Sequence, residues 1–330
     1  MEPAERIRAA LALERPDRPP WGWWGHTYRE EWSPRDLADV TVGRQRTFGM
    51  DLVKLQPRAC CFAQAFGCTY EPSPRWADAP IQRRAAVSSL DDWASVPQVD
   101  ATAPPLHEQV EALRQVVDAL GPSVPVLQTV FSPLTVAGYL VGEDKPRAAR
   151  ELREHPELVG PALERIARAL ADFAVRSVEA GAAGIFFAIS GYASSDRFTL
   201  DAYRRLPLPH DRTVLDAVRG GTWFDVLHLC GPRLHFALAS ELETHAVSWS
   251  VHEPGNPSLS EGRERSGRAV MGGLDHRGML VRGDPQAAAA EARAAIADAE
   301  GAGLILAPGC SVPPEAPEAN LRAVPQALEP

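Results

Sequence analysis

Apolar segments of strand length alternate with helical patterns along the whole chain, and this alternation constrains the fold more than any other feature. Eight segments have the length and apolar content of buried β-strands, and amphipathic patterns separate most of them. The predicted strands span residues 21–24, 51–56, 124–130, 184–189, 223–227, 246–251, 269–274 and 304–307. Strands alternating with helices are typical of parallel sheets, and eight such units predict an α/β protein with a (β/α)₈ TIM barrel.

The longest predicted helix, at about residues 156–180, shows the signals that support this alternation. Pro156 suits its first turn, and Gly181 follows its end. Further helices are predicted at residues 4–14, 34–49, 106–120, 199–206, 211–219, 233–244 and 258–267, and from Asp284 to Gly301. Residues 59–105 are rich in proline and aromatic residues, which favours an irregular excursion with a hairpin near residues 67–70. We therefore predict one barrel domain over residues 1–330.

Charge and cysteine content exclude several classes of function. The formal net charge of −9 argues against nucleic-acid binding, which usually relies on a basic patch. Five cysteines without a regular spacing do not resemble a secreted disulfide scaffold. The N-terminus lacks the apolar core of a signal peptide, and no apolar run is long enough to cross a bilayer. We expect a soluble cytoplasmic protein that binds neither nucleic acid nor membrane.

Histidine and cysteine residues follow two of the predicted strands in a pattern suited to zinc. His228-Leu229-Cys230 follows the fifth strand, and Cys310 lies just beyond the eighth. Imidazole nitrogen and thiolate sulfur are ligands that zinc prefers, and residues i and i+2 of an extended strand point to the same side. Three protein ligands leave a fourth position open, which is typical of catalytic zinc. His228, Cys230 and Cys310 are therefore the candidate zinc ligands.

Chance provides a competing interpretation of this motif. Nine histidines and five cysteines in 330 residues predict about 0.14 random His-x-Cys occurrences. On spacing alone, buried packing at a strand end explains His228 and Cys230 as well as a metal does. Position separates the two interpretations, because the C-terminal ends of the strands form the catalytic face of a TIM barrel. His252 and Asp275 lie at the same face, whereas Cys60, Cys61 and Cys68 lack ligand spacing and are interpreted as packing residues.

Six short stretches give the chain a resemblance to the uroporphyrinogen decarboxylase superfamily over nearly its whole length. They are Glu14–Arg18, Phe131–Thr135 with Tyr139, Ala180–Gly184, His228–Gly231, Met271–Asp275 and Ala307–Pro313. True decarboxylases carry an N-terminal arginine-rich segment and an aspartate after the second strand. This chain lacks the first and has Lys54-Leu-Gln-Pro57 in place of the second. With Cys310 where the decarboxylases carry a histidine, it is more similar to the corrinoid-dependent methyltransferase branch.

The resemblance implies a zinc-dependent methyltransferase. His228, Cys230 and Cys310 would bind Zn²⁺, and the nucleophile would be the zinc-bound thiolate of the substrate, with no protein nucleophile. Methylcobalamin, carried by a separate corrinoid protein, would be the second substrate. Two alternatives remain open: a decarboxylase of tetrapyrrole-like substrates that needs no metal, and a non-catalytic barrel that binds a corrinoid protein or a small molecule.

Several polar residues are candidates for binding the substrate. The segment after the first predicted strand contributes His26, Tyr28 and Arg29, which are suited to an anionic group. Tyr139 matches a pocket tyrosine of the family. The candidate set for substrate binding is His26, Tyr28, Arg58, Tyr139, Ser190, His252 and Asp275.

Overall fold

A curled parallel sheet of seven strands forms the centre of the computed structural model, which describes residues 1–328. From one edge to the other, the strands are β1 (Val53–Leu55), β4 (Val126–Phe131), β5 (Gly184–Ser190), β6 (Val226–Cys230), β7 (Ala246–Ser248), β8 (Ala269–Leu274) and β9 (Leu304–Pro308). Every neighbouring pair is parallel. The antiparallel hairpin of β2 (Thr69–Glu71) and β3 (Ile81–Arg84) lies outside the sheet.

The first predicted strand is reduced to a single bridge. Trp21 forms a parallel bridge with Leu306, and Asp51, just before β1, donates its backbone N–H to the Trp21 carbonyl at 2.8 Å. The segment around Trp21 thus lies between the two edge strands of the sheet. The prediction of an α/β barrel is confirmed, but the prediction of a regular strand at residues 21–24 is wrong, because only one residue there pairs in register.

Helices follow most of the strands, as the alternation predicts. They are α1 (Pro3–Leu11), α2 (Pro34–Phe48), α3 (Cys61–Ala65), α4 (Pro104–Leu120), α5 (Pro133–Leu140), α6 (Lys145–Glu154), α7 (Pro156–Glu179), α8 (Leu200–Arg205), α9 (Leu208–Val218), α10 (Leu238–Glu241), α11 (Leu259–Ser266), α12 (Met279–Arg282), α13 (Pro285–Asp298) and α14 (Glu318–Gln326). Proline occupies the first turn of α7, and the Asp284 side chain caps α13 by accepting the Ala287 N–H. No helix within residues 1–328 has both the length and the apolar character that a membrane span requires.

Alternate residues of each strand pack on opposite faces of the sheet. Val53 and Leu55 belong to the larger apolar layer between sheet and helices. A smaller apolar cluster, which includes Phe186, Val226 and Met271, comes from alternate residues of the strands and fills the barrel interior. The barrel is therefore a packed core rather than a pore, and a ligand can meet strand residues only at the ends.

Several helices and strands differ from the sequence prediction in length or were not predicted. The predicted helix at residues 233–244 shortens to α10, and the sixth predicted strand ends at Ser248 rather than residue 251. The hairpin predicted within the excursion at residues 59–105 is present as β2 and β3. Helices α5 and α6 were not predicted. Ser132 caps the first of them by accepting the Thr135 N–H at 3.2 Å.

Candidate metal centre

The three predicted zinc ligands converge at the C-terminal end of the sheet. His228 and Cys230 lie on the same side of β6, and Cys310 follows β9 by two residues. One ligand atom from each residue lies within 4.8 Å of the others. His228 is buried, and both cysteines are partly exposed. We refer to these residues as the HCC cluster.

The spacing of the two sulfur atoms suits a tetrahedral ion. Cys230 Sγ and Cys310 Sγ are 3.8 Å apart, and neither cysteine forms a disulfide. Two sulfurs that each lie about 2.3 Å from a tetrahedral zinc ion are separated by about 3.8 Å. One imidazole and two thiols form a donor set that binds zinc in preference to magnesium or calcium. The residues of the cluster therefore fit a zinc ion.

The orientation of the His228 ring is set by a neighbouring strand. His228 and Ser248 are direct cross-strand partners of β6 and β7, and Ser248 Oγ lies 3.1 Å from His228 Nδ1. When Nδ1–H donates to this hydroxyl, Nε2 carries the free lone pair that a metal needs. Ser248 is therefore the hydrogen-bond partner of a candidate ligand.

The contact between Cys230 and Cys310 shifts their two pKa values in opposite directions. The pKa of Cys310 lies well below its usual value, because its sulfur accepts a hydrogen bond from Cys230 and faces His228. The pKa of Cys230 is raised well above its usual value, because the thiol donates to Cys310 and is buried. The pair therefore favours a thiolate on Cys310 over one on Cys230, and a bound divalent ion would stabilise both thiolates.

A buried lysine next to this cluster was not identified as a site residue from sequence. Lys54 lies in β1, is 7% exposed and points into the barrel, where its Nζ lies 5.0 Å from the centre of the Phe186 ring. The same ring lies 5.0 Å from the His228 ring. The Lys54 ammonium donates to Gln56 Oε1. Burial lowers the pKa of Lys54 to about 7, whereas the negative charges of Cys310 and Glu31 act in the opposite direction.

His26 and Tyr28 stack on one another beside the barrel mouth. Their ring centres are 4.8 Å apart. His26 Nε2 accepts a hydrogen bond from the Gln56 amide at 2.8 Å, and His26 Nδ1 donates to Glu31 at 2.8 Å. His26 also lines a cavity of about 390 Å³ with Trp23, Arg29, Arg44 and Val312. None of the three HCC residues lines this cavity, so it adjoins the metal centre without containing it.

Ser190 and Tyr139 lie on the Cys230 side of the cluster. Ser190 is the cross-strand partner of Cys230, and a hydrogen bond from Ser190 lowers the pKa of that thiol. Tyr139 is partly buried and packs against Phe131 at 5.7 Å between ring centres, and desolvation raises the pKa of its hydroxyl. These two predicted residues border the site, and their role in substrate binding remains a prediction.

Arg58, His252 and Asp275 already bind protein groups. The Arg58 guanidinium, 5% exposed, forms an ion pair with Glu108 at 2.7 Å. His252 Nε2 lies 3.2 Å from the Gly273 carbonyl, away from the cluster. The Asp275 carboxylate accepts the backbone N–H groups of the two residues after His276, at 3.0 and 2.8 Å, and so stabilises a turn. Sequence alone could not show these hydrogen bonds and this ion pair, because they depend on neighbours in the fold.

Sequence comparison finds a matching protein family and similar methyltransferases. The family profile described as uroporphyrinogen decarboxylase (URO-D) matches residues 2–329. The methylcobamide:CoM methyltransferase MtaA of Methanosarcina barkeri is 26% identical over 294 residues, covering 88% of this chain and 83% of that protein. The methylcobamide:CoM methyltransferase MtbA of Methanosarcina mazei is 23% identical over 286 residues, covering 87% and 81%.

Solved structures share the fold. A methyltransferase from Methanosarcina mazei superposes with a TM-score of 0.83 at 22% identity, covering 99% of this chain and 98% of the other. A B12-independent methionine synthase from Shewanella sp. W3-18-1, solved in complex with selenomethionine, gives a TM-score of 0.56 at 13% identity, covering 89% and 86%. At these identities the structures support the barrel architecture alone.

Proposed function

This chain belongs to the uroporphyrinogen decarboxylase family, and we propose that it is a zinc-dependent methyltransferase acting between a corrinoid and a thiol. The convergence of His228, Cys230 and Cys310 within 4.8 Å carries the proposal. The names of the relatives, which pair methylcobamide with CoM, support a corrinoid as methyl donor and a thiol as acceptor.

The residues of the cluster would hold the ion through one nitrogen and two sulfurs. His228 Nε2 would bind while Nδ1 donates to Ser248, which fixes both the tautomer and the ring plane. When bound, zinc lowers the pKa of a coordinated thiol so that its sulfur is a thiolate, the form that attacks a methyl group. The packed interior below the cluster limits access of water from that side.

The corrinoid must approach from the C-terminal face of the barrel. Packed side chains, most of them apolar, fill the interior, so a large planar group cannot enter between the strands. We propose that a separate corrinoid protein presents its methyl group at the barrel mouth. The thiol would lie between the cluster and this donor, close to Ser190 and Tyr139.

Metal content of single variants tests the site. Protein purified without chelators should contain one zinc per chain, and Cys230→Ala and Cys310→Ala should lose most of it, because each removes one of three bonds. Cys68→Ala is the matched control, because it removes a buried free thiol outside the cluster and should retain full zinc. Inductively coupled plasma mass spectrometry measures all four proteins. Full zinc in both cluster variants would refute the site.

The reaction itself is tested with methylcobalamin and coenzyme M under anaerobic conditions. Loss of the methylcobalamin absorption spectrum and appearance of cob(I)alamin should require both zinc and the thiol. Cys310→Ala should abolish the change while circular dichroism shows an intact fold, because the barrel has its own core. Release of carbon dioxide from a porphyrinogen without added metal would instead support the decarboxylase alternative. Absence of both reactions would favour a binding protein.

A further inference from the structure

We propose that the Lys54 ammonium is the counter-charge for the acceptor thiolate at the HCC cluster, an inference that rests on the proposed function. Buried charges in proteins are normally paired with an opposite charge. Lys54 is 7% exposed, yet within residues 1–328 no carboxylate oxygen lies within 4.0 Å of its Nζ. Its direct protein contacts are a neutral amide and aromatic rings, and the Glu31 carboxylate reaches it only through Gln56 and His26, so we assign its close counter-charge to the neighbouring site.

A hydrogen-bonded chain of side chains fixes the position of this charge. Lys54 donates to Gln56 Oε1, and the Gln56 amide donates to His26 Nε2 at 2.8 Å. His26 Nδ1 donates to Glu31, whose carboxylate also accepts the backbone N–H of Thr27 at 2.9 Å. Glu31 is 1% exposed, so the chain is anchored by a buried carboxylate. The ammonium is thus held near the cluster rather than being free to extend into solvent.

The formal charges show when this ammonium is needed. Two cysteine thiolates and a neutral imidazole around a divalent ion have a net charge of zero. Coordination of a thiol breaks its S–H bond, releases the proton to solvent and leaves a sulfur lone pair on the metal, so the complex becomes −1. An uncompensated negative charge in a partly buried site is costly. The positive charge on Lys54 therefore stabilises the thiol-bound state but has little effect on the resting metal site.

The distance of the Lys54 ammonium from the HCC cluster sets the size of its effect on thiol affinity. Lys54 Nζ and the centre of the His228 ring each lie 5.0 Å from the Phe186 ring centre, so they are at most about 10 Å apart. A unit charge pair at about 7–10 Å in a protein environment of intermediate dielectric changes affinity by about 10- to 50-fold. Removal of the charge should weaken thiol binding by that factor.

The only other lysine of the chain provides a matched control. Lys145 is partly exposed, and its charge lowers the pKa of Cys230. Its Nζ lies 3.5 Å from the position that a Cβ would take at Gly191, whose N–H donates to the Cys230 carbonyl at 3.0 Å. Lys145 therefore has the same charge on the Cys230 side of the site. Because solvent and salt screen the charge of a partly exposed lysine, Lys145→Met should weaken thiol binding less than Lys54→Met.

The experiment compares metal affinity with thiol affinity in Lys54→Met, Lys145→Met and the unaltered protein. Methionine replaces lysine with an uncharged, apolar side chain only one atom shorter, so it fills most of the space next to Phe186. Zinc affinity is measured by competition with a chelating indicator. Calorimetry of the zinc-loaded protein measures binding of 2-mercaptoethanol, whose thiol is its only readily ionised group, and of coenzyme M. The titrations are repeated across the neutral pH range.

The expected result is specific to charge. Lys54→Met should bind zinc as tightly as the unaltered protein but bind either thiol about 10- to 50-fold more weakly at pH 7. The pH at which thiol binding is half-maximal should rise by about one to two units, because the thiolate loses its compensating charge. Equal losses of zinc and thiol affinity would show a structural role and overturn the inference, as would unchanged thiol affinity. If the unaltered protein binds zinc but neither thiol, the proposed function itself fails, and the inference with it.

Discussion

Replacement of Ser248 by alanine should weaken zinc binding although Ser248 is not itself a candidate ligand. Its hydroxyl lies 3.1 Å from His228 Nδ1, and both residues are almost completely buried. In Ser248→Ala, the Nδ1–H of a metal-bound His228 has no acceptor in a dry environment. The ring can recover a partner only by rotating, which moves Nε2 away from the two sulfur atoms.

The magnitude follows from the cost of one unsatisfied buried donor. Leaving such a group unpaired costs about 1–3 kcal/mol. A loss of about 1.4 kcal/mol corresponds to a tenfold change in affinity, so zinc affinity should fall by about 10- to 100-fold. The fall should be smaller than in Cys310→Ala, which removes a bond to the metal itself.

Ser250→Ala is the matched control for this prediction. Ser250 lies two residues beyond Ser248, is 4% exposed and has a side-chain hydroxyl without a hydrogen-bond partner. Competition with a chelating indicator should show weaker zinc binding in Ser248→Ala and unchanged binding in Ser250→Ala. If Ser248→Ala binds zinc within about threefold of the unaltered protein, the hydrogen bond does not orient His228 and the reasoning is refuted.

Two further predictions concern the stability of the fold. Asp211 is fully buried beside the Tyr203 hydroxyl, and burial raises its pKa from 3.8 to about 8. The folded state therefore favours the protonated carboxyl, and stability that is present below about pH 4 should be lost as the pH rises to about 8. Urea unfolding at both pH values should show this loss in the unaltered protein and a smaller loss in Asp211→Asn; equal pH dependence would contradict it. Alanine should have opposite effects on the free energy of unfolding at two helical glycines. At exposed Gly43, where a Cβ meets nothing within 4 Å, alanine should stabilise the fold by about 1 kcal/mol. At Gly262, where a Cβ would lie 2.1 Å from Trp249, alanine should destabilise the fold by about 1–3 kcal/mol. If the urea midpoints of Gly43→Ala and Gly262→Ala shift in the same direction, local packing does not decide the sign of the stability change.

The features that could be predicted from sequence are those encoded by short-range patterns. Strand segments such as residues 184–189 are continuous apolar runs bounded by glycine or polar residues, and the structure extends this one by a single residue. His228 and Cys230 share one side of a strand because strand side chains alternate, and this rule needs no tertiary information. Placement of Cys310 near them required only that parallel strands end at one face of a barrel.

The features that could not be predicted depend on contacts between distant segments. Lys54 was noted only as the residue found where decarboxylases carry an aspartate. A lysine in a strand is normally solvated, and nothing in its local sequence shows that β1 turns it inward toward Phe186. Arg58 has the residue type expected for an anion site, but Glu108, fifty residues later in sequence, already neutralises it. The long-range partner, rather than the residue type, decides what a buried charge does.

Gly309 shows how the cluster depends on close packing between segments that carry no ligand themselves. A Cβ at this position would lie 2.6 Å from the Cα and 2.7 Å from the Oγ of Ser250, so only glycine allows the chain beyond β9 to pass that close to the end of β7. The Gly309 N–H donates to the Leu274 carbonyl at 2.9 Å, which ties this passage to β8 as well. The next residue is Cys310, whose sulfur must reach Cys230 from a strand three positions away in the sheet. Gly309 therefore permits the backbone path that brings the Cys310 sulfur to 3.8 Å from the Cys230 sulfur.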